Sequence, residues 1–412
     1  MSVDSGATAW VIVATALVLF MTPGLAFFYG GMVRRKNVLG MLMQNVFAMG
    51  LISVLWATVG FSLAFGGRNG VIGNFQFAFL KNIANTPHVP GYSGSYALVI
   101  PPILFMAYQM MFAVITPALI TGATADRLRF GAYAVLIGVW AVLVYPIVAH
   151  WVFSPNGWLF RLGALDFAGG AVVHINAGAA ALAVVVVLGV RRGWGRDPMP
   201  PHNLPFTMLG IGILWFGWIG FNAGSALAAN GVAAQAVVNT HLAAAAAMLS
   251  WLVVEKLVAG HATTLGAASG AVAGLVAITP CAGYVGGMAP VLIGFAAGAV
   301  CYSALTLKNR LHLDDSLDVI AVHLVGGILG SLLLGLFADM AVNPLGADGL
   351  FFGGGFSLLG KQLLAVVVTF TFSFTVTYVL ARVLDATMGL RVSEEDELIG
   401  LDQSQHAEAA YQ

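Results

Sequence analysis

The chain has 412 residues, with 17 Lys and Arg balanced by 17 Asp and Glu. Charged residues make up 8% of it and apolar ones 59%, against roughly 25% and 45–50% in soluble globular domains. A soluble protein of this size is excluded, and zero net charge argues against a nucleic-acid partner.

The reading that remains is an all-α membrane protein. A span needs roughly 20 apolar residues, and eleven stretches qualify, near 8–31, 38–66, 97–122, 130–152, 166–190, 206–225, 236–256, 265–282, 287–306, 318–337 and 358–384. The first lacks a basic n-region and a cleavage site, so it reads as a retained helix. With the N-terminus outside, thirteen Lys and Arg fall on inner loops and only Arg68, Lys81, Arg161 and Lys361 on outer ones. That is the positive-inside bias, and an odd helix count puts the C-terminus inside. The organisation expected is a helical domain over 1–384 and a cytoplasmic tail over 385–412.

Segment five carries Asp166 and His174, and segment ten carries Asp318 and His323. Ionisable groups at membrane depth are costly and mark function by default. Five helices followed by five more, each set ending on a histidine-bearing segment, is the layout of an inverted repeat, with the eleventh helix outside it. Gly is 51 of the 412 residues and often paired, as at Gly169-Gly170 and Gly326-Gly327; small residues let helices approach closely in lipid. Cys281 and Cys301 fall in apolar segments, so no disulfide framework is implied. No spacing points to a metal site and no motif to a cofactor. His88, His150, His202, His241, His261, His312 and His406 fall in loops, near helix ends or on faces the pattern does not place.

Five stretches occur in an order that resembles the Amt/Mep/Rh ammonium transporters, the bacterial Amt branch above all. They are Thr22–Asn37 (TPGLAFFYGGMVRRKN), Phe112–Arg127 (FAVITPALITGATADR), Asp166–Asn176 (DFAGGAVVHIN), Trp215–Ser225 (WFGWIGFNAGS) and Asp318–His323 (DVIAVH). The resemblance implies eleven helices, a homotrimer with a pore in each subunit, and residence in the cell's inner membrane. The tail over 389–402 is acidic and polar; it is similar to the tail that couples Amt subunits and meets PII signal proteins.

The substrate implied is ammonium, a cation that pays heavily to enter a low-dielectric pore. It matches potassium in size but differs in donating directed hydrogen bonds and in being able to lose a proton. By resemblance, Phe112, Phe153 and Ser225 form an outer recruitment site, where cation–π attraction supplies about 0.5–2 kcal/mol. Phe153 stands where the family usually has Trp, which weakens that attraction unless Trp151 compensates. Tyr108 and Phe112 resemble a stacked pair closing the pore mouth, usually two Phe, and Phe221 is placed with that gate. His174 and His323 resemble the twin histidines of the pore, where one ring donates to the other and the pair titrates as a unit.

Straight helices from 166 and 318 would set the two rings at depths differing by roughly 10 Å, so their contact follows from the resemblance alone. Asp166 and Asp318 are read as helix N-caps supporting the site. The function implied is conduction of ammonia after deprotonation of ammonium. The alternatives are an ammonium sensor, against which the absence of a fused signalling domain after the last helix counts, and a Rhesus-type gas channel. An enzyme is disfavoured, because no nucleophile, metal cluster or phosphate loop accompanies the His and Asp residues.

Overall fold

The computed structural model describes residues 3–84 and 89–411; His88 lies outside the described residues. All regular structure among them is helical, apart from one bridge between Leu128 and Arg391. This follows from the solvent, since a lipid-embedded backbone must satisfy its amides and carbonyls within the segment.

Among the described residues, ten helices are long and apolar enough to cross a membrane: α1 (Ser5–Met32), α2 (Arg35–Phe65), α3 (Pro102–Thr124), α4 (Phe130–Leu162), α5 (Gly170–Leu188), α6 (Leu204–Ala226), α7 (Gly231–Ala259), α9 (Ala289–Arg310), α10 (Ile320–Phe337) and α11 (Ser357–Met388). Between α7 and α9 lies α8 (Thr264–Ile278), apolar but only 15 residues long. The stretch expected to run over 265–282 stops at Ile278 because Pro280 follows, and proline has no N–H with which to extend the ladder. The tail forms two short helices, α12 (Glu394–Ile399) and α13 (Leu401–His406).

Two helix starts differ from the sequence expectation. Segment five begins at Gly170, not 166, and segment ten at Ile320, not 318. Both open on a widened π-type turn that contains the histidine, Gly170–Ile175 in α5 and Ile320–Leu324 in α10. Ahead of α5 the chain is irregular, and the Phe167 amide donates to the Pro280 carbonyl at 3.1 Å.

One end of the bundle gathers the charges. Asp126 accepts from Arg34 at 2.9 Å and from Arg191 at 3.3 Å, and Arg191 also holds Asp314 at 2.7 Å. Arg127 is fully buried, donating to the Gly189 and Asp314 carbonyls and to Ser316 Oγ. Burial pulls its guanidinium down to about 10, opposed by Asp314, so it remains a cation at neutral pH. Burial alone would raise Asp314, but hydrogen bonds from Arg191 and the charges of Arg127 and Arg191 outweigh it and hold the carboxyl below its ordinary range.

The tail closes on this end by reciprocal capping. Asn37 Oδ1 accepts from the Leu401 amide at the start of α13, while Asp402 Oδ1 accepts from the Gly40 amide near the start of α2, both at 2.8 Å. Glu397 accepts from Arg391 and from the Arg192 amide, each at 2.7 Å. Three of these contacts, Asn37 with Leu401, Gly40 with Asp402 and Arg192 with Glu397, join residues more than 200 apart in sequence, so the tail is part of the folded unit.

Candidate functional site

The first turns of α5 and α10 meet, and they bring His174 and His323 together. Their Nδ1 atoms are 3.2 Å apart, with ring centroids 5.3 Å apart and planes 26° from parallel. Both rings are buried. One hydrogen serves two Nδ1 atoms, so with both rings neutral one donates and the other accepts. Their Nε2 atoms then differ: one keeps a lone pair and the other carries a hydrogen.

Each helix start is fixed in the same way. Asp166 accepts the amides of Gly169 and Gly170 on Oδ1 and those of Ala171 and Val172 on Oδ2, at 2.7–3.2 Å. At α10 the equivalent contacts are made by Asp315, whose oxygens take the Val319 amide at 3.1 Å and the Ile320 amide at 2.7 Å. The cap expected of Asp318 is therefore supplied three residues earlier. Asp318 instead has a positive φ of 66° and pairs with Lys308.

Asp315 lies eight residues before His323, as Asp166 lies eight before His174. Gly169, third after Asp166, also has positive φ, matching Asp318, third after Asp315. A glycine follows each histidine by four residues, Gly178 and Gly327. A Cβ at Gly178 would lie 2.6 Å from Leu324 Cβ, and one at Gly327 would lie 3.0 Å from His174 Cβ. The pattern Asp-x7-His-x3-Gly thus occurs once on each helix, and each copy's glycine admits the other copy's helix. In the sequence the Asp315 copy is masked by Asp318, the acid nearer to His323, and the equal Asp–His spacing is its signal.

An aromatic column leads to the pair. Phe112 and Phe221 lie 4.3 Å apart at 36°, Phe221 stacks towards His174 at 6.1 Å, and Trp218 stacks on His174 at 5.5 Å and 19°. The Trp218 indole N–H is committed to Thr279 Oγ1 at 2.9 Å, so it offers a ring face and not a donor. Trp218 drew no role from sequence, since nothing in its motif separated it from a packing residue.

Tyr108 and Phe112 do not stack face to face as expected. Their rings meet edge-on at 5.0 Å and 67°, because the Tyr108 hydroxyl is drawn to the Gly220 and Phe221 carbonyls, each 2.9 Å away. The closer ring pair is Phe112 with Phe221, tilted by 36°. Ser225 lies beside it, half-buried, 3.2 Å from the Tyr108 hydroxyl and donating to the Phe221 carbonyl.

Phe153 is half-buried, its carbonyl accepting from the Tyr92 hydroxyl at 3.0 Å. Trp151 is committed elsewhere: its N–H goes to the Val71 carbonyl, and its ring packs on Trp158 and Phe372. It does not stand in for an outer tryptophan.

Beneath the column is a narrow cavity of about 10 Å³, lined by His174, His323, Trp218, Phe221 and aliphatic side chains including Leu25, Ile115 and Leu214. That is close to the least space that admits one water-sized molecule. Apart from the two imidazoles, its walls offer little to replace an ion's hydration shell. No group of His, Cys, Asp or Glu among the described residues is arranged to hold a metal.

The model of the Ammonium Transporter Family matches residues 9–411. The chain belongs to the ammonium transporter family. The ammonium transporter of Mycobacterium tuberculosis is 50% identical over 431 residues, covering 99% of this chain and 90% of that protein. The ammonium transporter of Bacillus subtilis is 47% identical, covering 99% of this chain and 98% of that one. Among solved structures, Saccharomyces cerevisiae Mep2 superposes with a TM-score of 0.89 at 36% identity, over 96% of this chain and 89% of that one. A structure described as a sensor Amt protein superposes at 0.88 with 31% identity, over 98% of each. The family resemblance read from the five motifs is therefore correct, and the protein is a multi-pass membrane protein of a transporter family, not an enzyme.

Proposed function

We propose that this member of the ammonium transporter family recruits ammonium at an outer aromatic site, removes its proton and passes ammonia along a pore between α5 and α10. The observation that carries this reading is the Nδ1–Nδ1 contact of His174 and His323 at 3.2 Å inside an apolar cavity.

In this mechanism Phe112, Phe153 and Ser225 hold the cation, the rings through their π faces and Ser225 through its oxygen. Phe112 and Phe221 form the gate and exclude hydrated ions, with Tyr108 bracing it from the side. Ammonium gives up its proton before the narrow stretch, because a cavity with so few acceptors does not repay the desolvation of a cation. Ammonia, now neutral, donates to the Nε2 that has a lone pair and accepts from the one that carries hydrogen. The histidine pair also supplies the route by which the released proton is relayed.

The wider arrangement completes the proposal: eleven spans with α8 as the short one, N-terminus out and C-terminus in, an inverted repeat over α1–α5 and α6–α10, and a homotrimer in the inner membrane. Residues 385–412 act as a regulatory tail open to PII-type proteins. The reciprocal caps at Asn37 and Asp402 tie such a tail to the membrane domain.

The test is current recording from purified protein on solid-supported membranes, with ammonium and potassium pulses. A sustained ammonium current that scales with protein density supports transport, whereas a brief binding current independent of density means a sensor. Replacing His323 with Ala should collapse the preference for ammonium over potassium, and an unchanged preference removes the twin-histidine mechanism.

A further inference from the structure

The outer end of α6 presents more hydrogen-bond acceptors than its own amides use. The carbonyls of Gly220 and Phe221 lie in the last turn before Gly224, where the helix dipole favours a cation; Gly220 O accepts the Gly224 amide and Phe221 O the Ser225 hydroxyl, and each oxygen keeps a second lone pair. The Ser225 hydroxyl donates to the Phe221 carbonyl at 2.9 Å, which leaves the Oγ lone pairs free to accept.

Into this group of three oxygens the protein inserts one neutral donor. The Tyr108 hydroxyl lies 2.9 Å from Gly220 O, 2.9 Å from Phe221 O and 3.2 Å from Ser225 Oγ, with a single hydrogen to share among them. Tyr108 is fully buried, so water does not compete for its hydroxyl. The position also depends on a missing side chain: a Cβ on Gly224 would stand 2.6 Å from the Tyr108 hydroxyl oxygen.

We propose that Tyr108 is a specificity-determining residue that sets how tightly ammonium is recruited, because its hydroxyl occupies acceptors that the cation's own N–H groups would otherwise fill. The inference rests on the reading that Ser225 takes part in recruitment. Ammonium carries four N–H donors and a positive charge, so it is the better partner for carbonyls at a helix C-terminus. It must first turn the phenol hydrogen aside. Tyr108 thus lowers affinity for ammonium while giving these oxygens a second donor when the site is empty.

The experiment is Tyr108→Phe in the full-length protein, reconstituted on solid-supported membranes, with ammonium current measured against concentration. The KM for ammonium should fall by about threefold to tenfold, the range that one neutral hydrogen bond supplies. An unchanged or raised KM overturns the proposal, the latter by making the phenol oxygen a ligand of the cation. Gly224→Ala displaces the hydroxyl without removing the ring and replaces Tyr108→Phe, under the same criterion, if that variant does not accumulate. Ser225→Ala separates the two levels of argument. If it leaves KM unchanged, the recruitment reading itself fails. If it raises KM while Tyr108→Phe does not lower it, only the present inference fails.

Discussion

Gly178→Ala tests whether the histidine contact is set by backbone packing. A Cβ there would lie 2.6 Å from Leu324 Cβ and 2.7 Å from Leu324 Cα and N. Carbon atoms rest about 3.5–4.0 Å apart, and backbone atoms cannot swing away as a side-chain tip can, so α5 and α10 must part by about 1 Å locally. Leu324 directly follows His323, and Gly178 is one turn beyond His174, so the separation falls at the pair itself. A Nδ1–Nδ1 distance of 3.2 Å then opens to about 4 Å, past the reach of a hydrogen bond. The strain of overpacking is about 1–3 kcal/mol, enough to lower the melting temperature without preventing assembly. On solid-supported membranes the variant should lose most of its ammonium current and drift towards the selectivity of His323→Ala. Gly327→Ala, whose Cβ would be 3.0 Å from His174 Cβ and 3.1 Å from the Gly170 carbonyl oxygen, a milder approach than that at Gly178, should do the same more weakly. A Gly178→Ala protein that melts lower yet keeps its ammonium current and its preference over potassium would refute the reasoning.

Three further outcomes follow from named contacts. Asp315→Asn keeps one acceptor and sets an NH2 group against an amide at the start of α10; it should cost about 1–2 kcal/mol, read as a lower melting temperature, whereas Asp318→Asn should leave the amides of Val319 and Ile320 as protected from hydrogen exchange as in the parent. Asp402→Ala removes the cap on α2 at a cost of about 1 kcal/mol and should speed amide exchange across 394–406 several-fold, while α5 and α10 stay protected; unchanged tail exchange would sink the reciprocal-cap argument. Asp314 has a folded pKa below its unfolded one, so its contribution is present above about pH 4 and is lost as pH falls through the depressed value; the Arg191 amide, which donates to Asp314, should stay protected from exchange from pH 7 to 5 and lose protection only below about 4, and a loss between 7 and 5 would contradict the assignment.

The sequence made the class, the family and most helices legible because those depend on composition and on local order. Hydropathy found ten spans and also found α8, whose small residues dilute it. It placed the starts of α5 and α10 wrongly for a physical reason. Residues 163–169 are largely small or apolar, and 311–318 mix three leucines with polar residues, but in each an aspartate folds back onto the amides that follow it, and a hydropathy window does not register a turn. Starting both helices at the membrane faces then produced the apparent depth mismatch between the histidines. With α5 starting at Gly170 and α10 at Ile320, each histidine lies within the first turn or so of its helix, and the two starts meet at the pair, 3.2 Å apart at Nδ1, so neither start marks an end of the span and the mismatch disappears. The edge-on placement of Tyr108 was not legible because its partners, the Gly220 and Phe221 carbonyls, are backbone atoms more than 100 residues away.

The shared design of the two helix starts bears on selectivity as well as on geometry. Two helix N-termini converge on the histidine pair, and each carries the partial positive charge of its unpaired amides. Left bare, they would oppose any cation at that point, and they would also be buried donors without acceptors. Asp166 and Asp315 satisfy the amides and spread negative charge behind them, while Lys308 pairs with Asp318 beside the second copy. The carboxylates therefore act on the amides and not on the lumen, which is left with aromatic faces, aliphatic walls and two imidazoles. A cation meets no compensating charge there, whereas a neutral amine meets one donor and one acceptor. On this argument the preference for ammonia arises from where the charges have been tied down, and the histidines complete a filter that the aspartates make neutral.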